Sequence, residues 1–314
     1  MNKSMIKEVG GFLAAYWRRV VTLMLFALAV GTVRATPLPP AYKFEFLQGR
    51  DGGPTTLLAL NNHGEILGQD ELGYYIYDGT NYVDVPAIPG VHRYAYYDFN
   101  DARKIVGSYE STPSSGNVPI VRDGDLISEP VDLPSDTSGR VFLINNADQV
   151  SGDYFIPSPT PGTTFFHDGT TRHDVAYPGA HATLIRGMND DGELVGVYSL
   201  PAATYDPIAF RGTPGNLETL DAPLSLNPLI VTDLSINNWG QIAMTHQPIN
   251  GGSDVGLLID GDLTREFVLP GAYNTQLFDI NDGHQIIGSG RTVGINDGKE
   301  RPFVATPDAG YPIV

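Results

Sequence analysis

The sequence predicts an all-β protein: a six-bladed β-propeller of four-stranded antiparallel blades, closed by an N-terminal strand and preceded by an export signal. Three observations predict it. A short Asn-centred motif recurs six times at a period of about 44 residues. Each copy runs on into a second hairpin, so one period holds four strands. Glycine (36) and proline (24) are abundant, as a chain of short strands and many tight turns requires.

The first segment is an address. Lys3, Lys7, Arg18 and Arg19 make a basic lead, and residues 20–33 form a predominantly apolar run. Val33-Arg34-Ala35 then supplies a small-x-small site, followed by a proline-rich stretch. This three-part layout is that of a secretory signal cut after Ala35. A retained anchor is the competing reading, but a spanning helix needs about 20 apolar residues, and Arg34 closes this run early. The chain therefore divides into a signal peptide (1–35), a linker (36–41) and one propeller domain (42–314), with a secreted or periplasmic location.

The copies read ALNNHGEILGQ, DFNDARKIVGS, LINNADQVSGD, GMNDDGELVGV, SINNWGQIAMT and DINDGHQIIGS. Their anchors are Asn61, Asn100, Asn145, Asn189, Asn237 and Asn281. An apolar residue precedes each anchor and a β-type residue follows it five positions on, as in Leu60 and Ile66. Asn, Asp and Gly fill the gap and tolerate the left-handed backbone of a tight hairpin. Seven positions after the anchor a glycine recurs: Gly68, Gly107, Gly152, Gly196 and Gly288; Met244 breaks the series. Glycine there fits a bulge or a crowded strand.

Downstream, an apolar run meets Asp-Gly at Gly79, Gly124, Gly169 and Gly261, with Arg211-Gly212 taking that place in the fourth copy. Asp-Gly between apolar runs is a strong hairpin signal. A fourth strand then ends at Pro89, Pro134, Pro178, Pro223 or Pro270. The last copy lacks a fourth strand after RPFVATP, whereas Tyr42–Gln48 is a strand too many at the start. Placing that first strand in the last blade closes the ring and removes open edges. A strand over Tyr311–Val314 competes for the same place.

Bulk properties narrow the function. At 41% hydrophobic residues the chain can bury a large core. A net charge of −17 repels phosphate backbones and anionic lipid, which excludes nucleic acid as a partner. With no cysteine, neither a disulfide framework nor a thiolate metal site exists. The seven histidines form no HxxxH or HExxH, so no metal is expected, and no nucleotide or nucleophile motif implies a cofactor.

The pattern [LIFM]-N-[ND]-x-x-x-[IVL]-x-G, followed by an Asp-Gly hairpin, resembles the HAF-type extracellular repeats of exported bacterial proteins. The resemblance covers nearly all of residues 42–314. It implies an exported repeat protein, generally without an assigned activity. Some relatives carry a C-terminal sorting tail, which the ending PDAGYPIV does not match.

Candidate site residues lie on two sets of equivalent positions. Nine residues after the anchors stand Asp70, Tyr109, Tyr154, Tyr198, His246 and Gly290. Tyr109, Tyr154, Tyr198 and His246 are candidates for an aromatic rim over the channel, suited to a sugar or a peptide; packing between blades is the competing use. On the innermost strands, Asp98 and Asp279 stand two residues before their anchors, with Arg186 and Asp233 close by. Asp98, Asp233 and Asp279 are candidates to converge on the axis, to hold a cation or to act as general acid and base; hydrogen bonding to backbone near the turn is the alternative.

The leading functional expectation is a binding or scaffold module that takes a glycan or peptide at the face of variable loops between strands two and three. A carbohydrate-active hydrolase or lyase using the axial acids is the alternative, and a structural envelope or matrix component is a third.

Overall fold

Each Asn-centred motif folds as strand, tight turn, strand. In the computed structural model, which describes residues 38–39, 41–135, 137–155, 162–201, 207–220, 229–248, 252–292 and 300–308, the anchor Asn Oδ1 accepts the backbone N–H four residues on in every copy. The residue three after the anchor has a positive φ each time: Gly64, Arg103, Asp148, Gly192, Gly240 and His284. The asparagine side chain thus holds the turn closed even where the left-handed residue is not glycine.

The strands follow at the expected positions. β1 (Tyr42–Phe46) comes first. Blade one is β2 (Thr56–Leu60), β3 (Ile66–Asp70), β4 (Gly73–Tyr77) and β5 (Tyr82–Asp84). Blade two is β6 (Arg93–Phe99), β7 (Ile105–Glu110), β8 (Val118–Asp123) and β9 (Leu126–Ser128). Blade three is β10 (Ser138–Ile144), β11 (Val150–Phe155), β12 (Thr163–His167) and β13 (Arg172–Val175). Blade four is β14 (Ala182–Met188), β15 (Leu194–Ser199), β16 (Ile208–Thr213) and β17 (Asn216–Thr219). Blade five is β18 (Leu229–Ile236), β19 (Ile242–Pro248), β20 (Val255–Asp260) and β21 (Leu263–Phe267). Blade six contains β22 (Ala272–Ile280), β23 (Ile286–Thr292) and β24 (Arg301–Pro307).

The sheet order confirms the closure: β1 lies outside β24, in the order β1-β24-β23-β22. The pairing is antiparallel from Tyr42 opposite Pro307 to Phe46 opposite Phe303. Phe44 packs its ring 5.6 Å from both Phe267 and Phe303. The competing strand over Tyr311–Val314, the signal peptide and most of the linker lie outside the described residues. Among the described residues no helix is long and apolar enough to cross a membrane.

Both faces of the blades are covered, so the second strands are buried at consecutive positions and not at alternate ones. Ile105 points into the cluster shared with blade one, and its neighbour Val106 into the cluster shared with blade three. Among the described residues the buried side chains form six apolar clusters, one for each gap between blades.

One turn departs from expectation. In blade four the hairpin is not at Arg211-Gly212: Thr213 pairs with Asn216, so Pro214-Gly215 makes the turn. Proline presets φ at the first turn position and Gly215 supplies φ of 85° at the second, so the strand runs on through Gly212.

The recurring glycine has a steric cause. A Cβ at Gly107, Gly152, Gly196 or Gly288 would collide with a carbonyl oxygen of the adjacent innermost strand: Ala95, Arg140, Leu184 or Gln276. These carbonyls approach because the innermost strand bulges just beyond them, between Tyr96 and Asp98, Val141 and Leu143, Ile185 and Gly187, or Leu277 and Asp279. Blade five carries Met244 instead, and its bulge lies two residues earlier in the repeat, between Val231 and Asp233.

Candidate functional site

The six innermost strands surround a central channel whose two ends differ. At the end formed by the Asn turns, the residue after each anchor reaches the next blade. Asn62 N–H donates to Asp101 Oδ1 (2.7 Å), Asp101 to Asn146 (2.8 Å), Asn146 to Asp190 (2.8 Å), Asp190 to Asn238 (2.7 Å), Asn238 to Asp282 (2.8 Å) and Asp282 back to Asn62 (2.9 Å). The ring is complete, and Asn alternates with Asp around it. Alternation lets amide groups meet carboxylates, as where Asn238 Nδ2 donates to Asp190 and Asp282, both at 2.7 Å. Burial pushes the Asp282 carboxyl above its ordinary range. A cavity of about 150 Å³ lies inside this end.

Asp98 and Asp279 stand one layer deeper, in contact with that cavity yet surrounded by protein. Asp98 accepts from Ile144 N–H of the next blade (2.9 Å) and from Phe99 N–H (2.7 Å). Asp279 accepts from Leu60 N–H (2.8 Å) and Ile280 N–H (2.8 Å), and it meets the Ser235 hydroxyl. Burial raises Asp98 to about 8, helped by the charge of Asp279, and raises Asp279 to about 6. Both oxygens of each carboxyl are engaged with protein groups, mostly backbone amides. The pair therefore clasps neighbouring blades, and nothing in its hydrogen bonding favours the acid–base role considered from the sequence.

The other end widens into a funnel of about 530 Å³. The bulge residues Leu58, Tyr97, Phe142, Arg186 and Phe278 line it as a collar, with Arg140, Asp153, Leu184 and Asp233 beyond them. A bulge turns its extra side chain off the regular alternation, which aims these residues inward. Tyr97 and Phe142 pack edge to face at 5.0 Å. Arg140 holds Asp153 with two hydrogen bonds (3.2 and 2.8 Å) and lies 5.0 Å from the Phe142 ring centre. Much of the variable-loop set, including 156–161, 202–206, 249–251 and 293–299, lies outside the described residues.

The sequence candidates separate cleanly. Arg186, Asp98 and Asp279 line the channel at the Asn-turn end, and Arg186 with Asp233 lines the funnel. Tyr109, Tyr154, Tyr198 and His246 do not form a rim over it. Tyr109 packs against the core between blades one and two, and Tyr154 and Tyr198 are buried in the next two gaps. Tyr154 donates to Asp174 (2.9 Å), and Tyr198 stacks on Tyr177 with ring centres 3.7 Å apart. His246 is 1% exposed, and neither ring nitrogen has a hydrogen-bond partner among the described residues. The reason is radial position: these residues sit on the second strand, one strand away from the axis, and its faces look at adjacent blades. Arg140, Phe142 and Phe278 were missed as candidates. The signal that would have found Phe142 and Phe278 is the bulge position, three residues before the anchor, which collects Tyr97, Phe142, Arg186 and Phe278; Arg140 lies two residues before that position and has no such signal.

No protein-family profile matches the sequence, and no curated protein matches it. Solved structures do match in fold. The β-propeller domain of the Trilobed protease from Pyrococcus furiosus superposes with a TM-score of 0.52 at 10% identity, covering 82% of this chain and 86% of that one. TolB from Acinetobacter baumannii gives 0.47 at 12% identity over 80% of this chain and 63% of its own. The Aleuria aurantia lectin, solved with α-methyl-L-fucoside, gives 0.42 at 12% identity, covering 88% of this chain and the whole of that one. At these identities the shared property is the propeller fold.

Proposed function

We propose that the chain is an exported binding module, of the HAF-type extracellular repeat kind, that takes a glycan or peptide ligand in the funnel. The observation that carries the reading is the contrast in hydrogen bonding along the channel. Polar groups at the Asn-turn end bond to one another or to backbone, whereas the funnel presents Arg186 with no hydrogen bond or ion pair among the described residues. A concave site lined by apolar side chains with a few convergent polar groups is the usual form of a ligand pocket. Its place on the loop-rich face of a rigid scaffold supports the same reading. The basic lead, apolar run and small-x-small site of residues 1–35 support export and removal of the leader.

The test is a thermal-shift screen of the chain against panels of glycans and peptides, repeated on Arg186→Ala. At least one class should raise the melting temperature of the parent and fail to raise that of the variant. Silence across both panels, or equal shifts in both proteins, would end the proposal.

A further inference from the structure

Among the described residues the funnel holds four formal charges, and two of them are already matched. Arg140 and Asp153 neutralise each other through a two-pronged pair. Arg186 and Asp233 do not. Arg186 is exposed in the funnel, on β14, without a hydrogen bond or ion pair among the described residues. Asp233 stands on the adjacent innermost strand, β18, and forms no ion pair there either. Burial pushes its carboxyl upward, opposed by the Thr232 hydroxyl and the charge of Arg186, so the two groups feel each other without touching.

Their separation is built into the backbone. Arg186 is a bulge residue three before its anchor, like Tyr97 and Phe142. Asp233 stands four before its own anchor, a position filled in the other blades by core residues such as Tyr96, Val141 and Leu277. It faces the funnel only because the bulge of blade five lies earlier, and that shift accompanies Met244 in place of the repeat glycine. One residue along a strand is about 3.3 Å, so the two residues are offset in backbone position along neighbouring innermost strands, and apolar Leu58, Phe278 and Leu184 line the same funnel.

Resting on the funnel as the ligand site, we propose that its ligand is a small zwitterion with an apolar side chain, an α-amino acid or a dipeptide, its carboxylate on Arg186 and its ammonium on Asp233. A half-buried charge gains most from a ligand that brings the opposite charge, since charge-assisted hydrogen bonds are roughly twice as strong as neutral ones. A simple anion meets repulsion from Asp233, and a simple cation from Arg186. A neutral sugar supplies hydroxyls to both but compensates neither charge.

Isothermal titration of the full chain tests this with leucine and leucyl-leucine as probes. Acetyl-leucine lacks the ammonium, leucine amide lacks the carboxylate, and maltose is the neutral comparator. One of the two zwitterions should bind, with the blocked forms at least tenfold weaker. Which of them binds more tightly tells a free amino acid from a peptide. Arg186→Ala should abolish binding of the zwitterion while leaving leucine amide, relieved of the Arg186 charge, bound at least as well as by the parent. Asp233→Asn, which is isosteric, should weaken the zwitterion tenfold and leave acetyl-leucine, relieved of the Asp233 charge, bound at least as well as by the parent. Far-UV circular dichroism and melting curves confirm that both variants keep the fold. If maltose binds instead and loses affinity in Arg186→Ala, the zwitterion is wrong and the funnel remains the site. If the zwitterion binds with equal affinity to the parent and to both variants, the assignment to Arg186 and Asp233 is overturned. If no probe binds, the zwitterion proposal falls, and the broader glycan and peptide screen decides the funnel separately.

Discussion

The two ends of the channel are made by the same six strands and obey different rules. At the Asn-turn end every blade does the same thing: the anchor closes its turn, and the next residue reaches the following blade, until the ring of six hydrogen bonds meets itself. At the funnel end the repeat is broken. Leu58, Tyr97, Phe142, Arg186 and Phe278 occupy one equivalent position with four different chemistries, and blade five substitutes Asp233 from a shifted bulge. A repeated residue whose hydrogen bonds are all used is holding the scaffold. A position that varies between blades and leaves a charge unmatched is free to serve a ligand.

Four substitutions sharpen that contrast. The largest effect is expected from Gly196→Val, which places a side chain against the Leu184 carbonyl where the inner strand bulges. Overpacking of this kind should cost about 3 kcal/mol, read as a fall in the urea midpoint. An equal midpoint would show that the bulge yields freely and that glycine is not required.

Asn145→Ala comes next. It removes the acceptor for Ala147 and Gln149 N–H and the donor to the Asn189 carbonyl. Leaving those groups without partners should cost about 2 kcal/mol by chemical denaturation. The same loss at a funnel residue such as Arg186 would contradict the division between the two ends.

Asp98→Asn tests the clasp through pH. The folded Asp98 and Asp279 are raised to about 8 and about 6 from an ordinary 3.8, so the folded protein holds protons that the unfolded chain has released. Their stabilising share is complete below about pH 4 and is lost as pH rises through 6 to 8. The asparagine variant should lose the larger part of that decline in melts taken between pH 5 and 9, and an unchanged slope would mean that Asp98 ionises freely.

The smallest effect concerns the loop-rich side of the gap between blades four and five. His246 is buried with both nitrogens unpartnered among the described residues, and burial holds its pKa below the ordinary 6.5. The unfolded chain therefore takes up a proton first as pH falls through 6.5, and stability drops on the acid side. His246→Leu should stabilise the fold by about 1 kcal/mol at neutral pH and remove that acid loss; a destabilised variant would point to a partner for the ring.

Much of this was legible in the sequence because it is local. The Asn turns, the Asp-Gly hairpins and the six periods follow from residues a few positions apart, and the surplus strand at Tyr42 matches the deficit after Pro307. Position within the period also marked Asp98, Asp279, Arg186 and Asp233 as residues near the axis. What a single strand cannot reveal is which neighbour covers each of its faces. Tyr154 and Tyr198 alternate correctly as strand residues, yet whether their rings meet a ligand or the next blade depends on a surface hundreds of atoms away in the chain. The hairpin of blade four moved for a smaller reason, since in Pro214-Gly215 proline presets φ at the first turn position and glycine tolerates the positive φ of the second.

By itself the sequence determined the number of blades, the four strands in each, the place where the ring closes and the residues able to reach the axis, because periodicity and turn chemistry act over short distances. Only the tertiary structure decided which polar groups are consumed by neighbouring blades and which are left facing the funnel. Hydrogen bonds between blades join residues about 44 positions apart, and Asp233 is placed by a bulge between Val231 and Asp233 whose position only the pairing of two strands reveals.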